Sequence, residues 1–274
     1  MKILVTNDDG YKAVGIHTLV EILRPLGDIT VVSPKKPQSG MSMAISIGNK
    51  PLAVKHLGCN DGVDWWYLDS TPASCVKYAI DNIFNGQRPD LVVSGINHGS
   101  NAAVAALYSG TVGAATEGVI NGIRSIAVSL DTCKSDADFT VVRKFLPELL
   151  HTILNNWPDR EGIAYNINFP YIDASQIRGI KPAQMGIGYW EDQFCDYNQA
   201  LSQIGFKQSD EDIAYLASLE EGESAVMIVG DFVDGGQDAS MVDHKLMREG
   251  WITVSPYHIN NADIEEYQRL CAII

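Results

Sequence analysis

Residues 1–10 read MKILVTNDDG, and the reading of this stretch decides the fold. KILVT at 2–6 is a short apolar run rich in branched side chains. It stops at Asn7, Asp8, Asp9 and Gly10, the pattern of a buried strand that ends in a polar turn. Ile16, Leu19, Val20 and Leu23 then recur at helical spacing, closed by Pro25 and Gly27, and Ile29 to Ser33 supplies a second strand. Thr71 caps a helix that starts at Pro72 and runs through Val76, Ala79, Ile80 and Ile83. DLVVS at 90–94 is another buried strand. Residues 112–122 read as a helix, Ser125 to Leu130 as a strand and 138–154 as an amphipathic helix. Strands alternating with helices predict an α/β protein with a doubly wound, mainly parallel, Rossmann-like sheet covered on both faces.

Beyond Gly162 the texture changes. IAYNINFP at 163–170 is a strand ended by proline, and 176–208 carries glycine, tyrosine and phenylalanine in short alternating runs that suggest hairpins. Residues 210–221 and 241–249 read as helices, 225–232 and 251–255 as strands. No internal repeat, low-complexity tract or linker interrupts the chain. The expected organisation is one domain over 1–274, a core of about residues 1–160 with a C-terminal hairpin and helix extension over about 161–274.

The 274 residues carry 20 Lys plus Arg against 34 Asp plus Glu, a formal charge of −14, while 46% hydrophobic content is ample for a sizeable core. Such a field repels a polyanion, which argues against binding along a nucleic-acid polymer, and an anionic substrate needs a local cation. The N-terminal segment lacks the long apolar region and cleavage site of an export signal. The most apolar stretch, Ala102 to Ala115, is broken by Tyr108, Ser109, Gly110, Thr111 and Gly113, so no membrane span is expected. Cys59, Cys75, Cys133, Cys195 and Cys271 are odd in number and scattered, as reduced thiols in a cytoplasm are, and argue against zinc or a disulfide framework.

Three polar clusters, at 7–10, 38–40 and 94–99, each follow a predicted parallel strand, where ligand crevices of open α/β sheets form. Asp8 and Asp9 repel each other if held close and dry, so a divalent cation is their natural partner. Oxygens of Ser39 and Asn97 can complete an all-oxygen shell, which favours Mg²⁺, Mn²⁺ or Ca²⁺ over zinc. A lone Asp-Asp-Gly is more often a solvated turn with a helix cap; three clusters at three strand ends favour a ligand site. Tyr108, Ser109, Gly110 and Thr111 stand directly before the helix at 112–122, with Asn101 upstream. Hydroxyls and free amides at a helix N-terminus form an anion site without lysine, although an ordinary cap uses the same residues.

Other routes to chemistry are missing. There is no GxGxxG or GxxxxGK[ST] loop, no GxSxG elbow and no paired-ligand spacing among the six histidines. His98 alone lies in one of the polar loops, and it reads as structural or solvent-facing, as do the other five. Trp65, Trp66 and Tyr67 read as core or interface aromatics, and the acids at 210–223 as a solvated helix face.

NDDG at 7–10, Ser39 and Gly40, SGINHGSN at 94–101 and YSGTVGAATEG at 108–118 together resemble, in order and spacing, the SurE family of metal-dependent 5′/3′-nucleotidases. The resemblance spans roughly residues 1–130, with echoes at NINFP (166–170) and EGWITVSP (249–256). It implies that Asp8, Asp9, Ser39 and Asn97 hold one divalent cation per site, and that Asn101, Ser109, Gly110 and Thr111 line a phosphate site. It also implies acid phosphatase activity on nucleoside 5′- and 3′-monophosphates, and a homodimer or homotetramer joined through the C-terminal extension. Three departures stand out, one of them the stretch 205–245, which does not match the pattern expected before the last strand. Lys36 replaces the arginine usual three positions before Ser39, and lysine cannot reproduce a bidentate guanidinium contact. The usual GTPADC reads Ser70-Thr71-Pro72-Ala73-Ser74-Cys75.

The expected chemistry is phosphomonoester hydrolysis by a metal-activated water attacking in line, with Asp8, Asp9 and Asn97 as the catalytic set and residues 109–111 holding the remaining phosphate oxygens. Two alternatives stay open. One is a phosphatase with an aspartyl-phosphate intermediate, whose usual pattern is Asp-x-Asp rather than adjacent acids. The other is a non-hydrolytic nucleotide or metal-binding module, which the departures at Lys36 and Ser74 would suit.

Overall fold

The run KILVT forms β1 (Lys2–Thr6), and the helical spacing after the polar turn gives α1 (Val14–Leu23). Next come β2 (Asp28–Pro34), β3 (Val54–Asn60), β4 (Val63–Leu68) and α2 (Pro72–Tyr78), whose N-cap Thr71 accepts a hydrogen bond from Ser74 N. β5 (Leu91–His98), the short α3 (Ala105–Tyr108), α4 (Gly110–Ile120), β6 (Arg124–Asp131), α5 (Thr140–Asn155) and β7 (Ile163–Pro170) continue the alternation. They are followed by β8 (Gly179–Pro182), β9 (Gly188–Glu191), β10 (Phe194–Asp196), α6 (Tyr197–Ile204), α7 (Asp210–Ala217), β11 (Val226–Ile228) and β12 (Asp231–Asp234). α8 (Asp243–Arg248), β13 (Trp251–His258) and α9 (Ile264–Cys271) end the chain. The computed structural model describes residues 1–48, 51–134, 136–191, 194–204, 208–238 and 241–274.

A nine-stranded sheet runs in the order β3-β4-β2-β1-β5-β6-β7-β13-β8. The six strands from β4 to β7 are parallel to one another, β3 and β13 are antiparallel to their neighbours β4 and β7, and β8 is parallel to β13. The chain builds outward from β1 on one side and from β5 on the other, so their shared edge is the topological switch point, where Thr6 pairs with Ser94. Ligand crevices of such sheets open at the carboxyl ends of these strands.

Alternation along β1 divides the core. Ile3 and Val5 face a layer with Leu19, Leu23, Leu146 and Leu150 from α1 and α5, while Leu4 faces Cys75, Val76 and Ala114 from α2 and α4. The mainly parallel α/β sheet expected from the sequence is therefore present. The helix expected over 210–221 ends at Ala217, and α9 is an additional helix beyond those the sequence reading gives.

The stretch 176–208 departs from its reading as local hairpins. β8 joins β13, β9 pairs with β12, and β10 pairs with β11. Alternation in strands of three or four residues marks extended chain but carries no information about the partner, which here lies 30 or more residues away. Residues Met1–Met185 with Asp238–Ile274 form one compact unit, and Gly186–Gln237 a second. Within the second, Trp190 meets Phe232 edge to face at 5.3 Å, and a Ser209–Asp212 capping box starts α7. Among the described residues no helix is long and apolar enough to cross a membrane.

α1 meets β5 at Gly15, where a Cβ would stand 2.1 Å from Ile96 O. Gly→Ala in a helix ordinarily gains about 1 kcal/mol. Here Gly15→Ala is expected to lose about 1–3 kcal/mol through overpacking, whereas exposed Val14→Ala stays within about 0.5 kcal/mol; urea unfolding of both variants checks the reversal.

Candidate functional site

The turn after β1 is built by Asn7, which is fully buried. Its Nδ2 donates to Gly10 O at 3.0 Å, and its Oδ1 accepts from Ser33 Oγ at 2.5 Å. This closes the turn on β2 and leaves Asp8 and Asp9 at the sheet edge. Gln38 N donates to Asp8 O at 2.7 Å, which draws the loop after β2 onto the same turn and puts exposed Ser39 one residue away. Asp8 Oδ1 accepts from Thr111 Oγ1 at 2.6 Å, and Asp9 Oδ2 accepts from His98 N at 3.1 Å. Asn97 commits Nδ2 to Gly99 O at 2.8 Å, so its carbonyl Oδ1 is the atom left for a ligand.

Asp8 is buried, with 4% of its surface exposed. Burial first, and the adjacent Asp9 charge second, push its pKa up to about 7, while hydrogen bonds from Thr111 pull in the other direction. A carboxylate in that position is short of positive charge. Among the described residues no group of three or more His, Cys, Asp or Glu could hold a metal. The available donors are instead two carboxylates with hydroxyl and amide oxygens at Ser39 and Asn97, a set that fits a hard divalent cation and not zinc. Glycine at 110 suits this close approach: a Cβ there would be crowded, 3.0 Å from Asp8 Cβ and 3.2 Å from Gln38 O.

α4 begins at the same place. Ser109 Oγ accepts from Val112 N at 3.1 Å, so it caps the helix and keeps its own O–H to donate. Thr111 is fully buried and spends its hydroxyl on Asp8. Asn101 is held more firmly than a loop residue need be. Its N–H donates to Asn168 Oδ1 at 2.9 Å, its Nδ2 to Ser129 Oγ at 2.8 Å, and its carbonyl accepts from Asn166 Nδ2 at 2.8 Å. Asp243, also fully buried, accepts from Ala103 N with both oxygens at 3.0 Å.

Sequence reasoning passed over several of these partners. Asn166 and Asn168 stand two apart in an apolar strand, hence on one face, a signal that the run NINFP does contain. His98 sits beside Asn97 and was read as structural. Ser70 and Ser74, both within the stretch that departs from GTPADC, reach Ser46: Ser70 Oγ lies 2.8 Å from Ser46 Oγ, and Ser74 Oγ accepts from Ser46 N at 3.1 Å. With Thr71 Oγ1 donating to Ala44 O at 2.6 Å, they tie residues 44–46 to the start of α2.

A carboxyl that titrates near 7 folded and at 3.8 unfolded binds more protons in the folded state, so its contribution lowers stability as pH rises between those values. In chelator, Asp8→Asn is expected to melt above the wild type at pH 8, with the gap closing by about pH 4. Melting curves across that range check it, and a wild type equally stable or more stable at pH 8 contradicts the buried, uncompensated charge.

Residues 3–192 match the family described as Survival protein SurE. A 5′-nucleotidase SurE from Cytophaga hutchinsonii is 43% identical over 192 residues, covering 70% of this chain and 73% of that protein. One from Christiangramia forsetii is 37% identical over 258 residues, 93% of this chain and 89% of that protein. The crystal structure of the SurE protein from Aquifex aeolicus matches with a TM-score of 0.76 at 27% identity, over 100% of this chain and 99% of that one. With the family matched over residues 3–192, more than half of the chain, and relatives this similar, the chain belongs to the SurE family.

Proposed function

We propose that the chain is a divalent-cation-dependent nucleotidase that releases phosphate from nucleoside 5′- and 3′-monophosphates. The observation that carries this reading is the buried Asp8, crowded by Asp9 and pinned by Thr111 at the switch point of the sheet. The 5′-nucleotidase names of its relatives support it. Asp8, Asp9, Ser39 and Asn97 would hold one Mg²⁺, Mn²⁺ or Ca²⁺. When bound, such a cation supplies charge that neutralises a phosphate ester and makes water more acidic.

The residues of the chain do the rest. Beside a cation Asp8 stays ionised, because an opposite charge offsets both its burial and the repulsion from Asp9. Thr111 fixes Asp8 Oδ1, and Gln38 N fixes its backbone carbonyl, so the carboxylate does not swing. The free O–H of Ser109 donates to a phosphate oxygen, while the amides of Gly110 and Thr111 at the N-terminus of α4 favour negative charge there. Asn101, anchored through Ser129, Asn166 and Asn168, closes the phosphate side.

We further propose a homodimer or homotetramer joined through the C-terminal residues 161–274, acting in the cytoplasm on nucleotides and not on nucleic-acid polymers. No residue of α9 is buried, and Ile264, Tyr267 and Leu270 lie exposed at helical spacing, which supports assembly through this end.

The test is phosphate release from ribo- and deoxyribonucleoside 5′- and 3′-monophosphates with Mn²⁺, Mg²⁺, Ca²⁺ or chelator. Release is expected to need the cation, and Asp8→Asn is expected to cost more than the about 10–100-fold typical of losing an outer partner of a metal ligand. A covalent phosphoenzyme would turn the reading to an aspartyl-phosphate phosphatase. Tight nucleotide binding without release would turn it to a binding module.

A further inference from the structure

His98 ends β5 directly after Asn97, and the mechanism above gives it no part. Its backbone N–H donates to Asp9 Oδ2 at 3.1 Å, and its ring Nδ1 lies 3.3 Å from the same oxygen. A ring nitrogen this close to a carboxylate oxygen carries its proton and donates it. Both donors fall on Oδ2, and no described residue donates to Oδ1. A carboxylate free in solution exchanges its two oxygens by rotation about its terminal torsion; two donors on one oxygen prevent that exchange. The ring is itself held, since it meets the buried Phe139 in a T-shaped contact with centroids 5.2 Å apart at 86°. Asp9 and His98 are 19% and 18% exposed, so water competes weakly for the contact. Asp8 is likewise engaged on one oxygen, by the single donor Thr111 Oγ1 on Oδ1.

We infer that His98 is a positioning residue for Asp9: its Nδ1–H, together with its backbone N–H, holds Oδ2 and presents Oδ1 to the divalent cation. The inference rests on the reading of Asp9 as a cation ligand. Partners of this kind orient metal ligands in many sites, and losing one costs about 10–100-fold in affinity.

The experiment is titration of the full chain with Mn²⁺ alone, following free Mn²⁺ by electron paramagnetic resonance without nucleotide. His98→Phe keeps an aromatic ring against Phe139 and removes the donor. His98→Asn removes the ring but carries an amide Nδ2 on Cγ, in the position of the ring Nδ1. The expected result is Mn²⁺ affinity at least about 10-fold weaker in His98→Phe, with most of that loss recovered in His98→Asn. Melting in chelator establishes that each variant folds, and His98→Leu repeats the donor deletion if phenylalanine does not fit. The reverse order, with His98→Phe like the wild type and His98→Asn impaired, means a packing role and overturns the proposal. Wild-type chain that binds no Mn²⁺ removes Asp9 as a ligand and the proposal with it. Mn²⁺ binding unaffected by loss of the donor leaves the cation site standing and overturns only the role of His98.

Discussion

Two carboxylates on adjacent residues, one of them buried, set the terms for everything around them. Asp8 has given up its hydration and stands beside another negative charge, so each neighbouring group is there to manage a negative field. Thr111 donates to Asp8, His98 donates to Asp9, and the N-terminus of α4 aims its partial positive charge the same way. None of these is a formal cation. The site therefore keeps a deficit of positive charge, and a hard divalent ion with an anionic phosphate is the combination that matches it. Under the proposed reading, this is how a chain of net charge −14 would hold a phosphate ester without a cluster of lysine or arginine.

The fold makes that concentration of charge structurally stable by bringing backbone very close to backbone. Gly110 allows α4 to begin against Asp8, and Gly113 allows the loop after β2 to lie on the helix, where a Cβ would stand 2.0 Å from Ser42 O. Ser42 N in turn donates to Tyr108 O at 2.9 Å, just ahead of the helix cap. On the far side Asn166 and Asn168 of β7 and Ser129 of β6 hold the 99–104 loop through Asn101, and Asp243 secures Ala103. The site thus has one side tied to β1 and β2, which end by Pro34, and another to β6 and β7, which begin only at Arg124 and Ile163.

Ser70 and Ser74, where the chain departs from GTPADC, share one hydrogen-bond partner. Both hydroxyls converge on Ser46, so the two substitutions act as one contact between the loop after β2 and the cap of α2. A pattern comparison reads them as two separate losses, because it sees each position alone. Only their common partner, 24 to 28 residues upstream, makes them a pair.

The sequence by itself determined the alternating architecture and the identity of the polar turns, because branched apolar runs, helical spacing and strand-end glycines are local signals. As a candidate site, Asp8, Asp9, Asn97 and Ser109 to Thr111 stand out for the same reason: unusual polar residues at the ends of predicted strands and at a helix start. What only the tertiary structure decided is which group holds which. That Thr111 serves Asp8, that His98 doubly engages one oxygen of Asp9, that Asn101 is anchored by β7, and that β9 and β10 pair with strands 30 or more residues away are facts about long-range partners. Hydrogen-bond donors and short alternating strands look the same in sequence whatever they meet, and the meeting is settled by how the whole sheet packs.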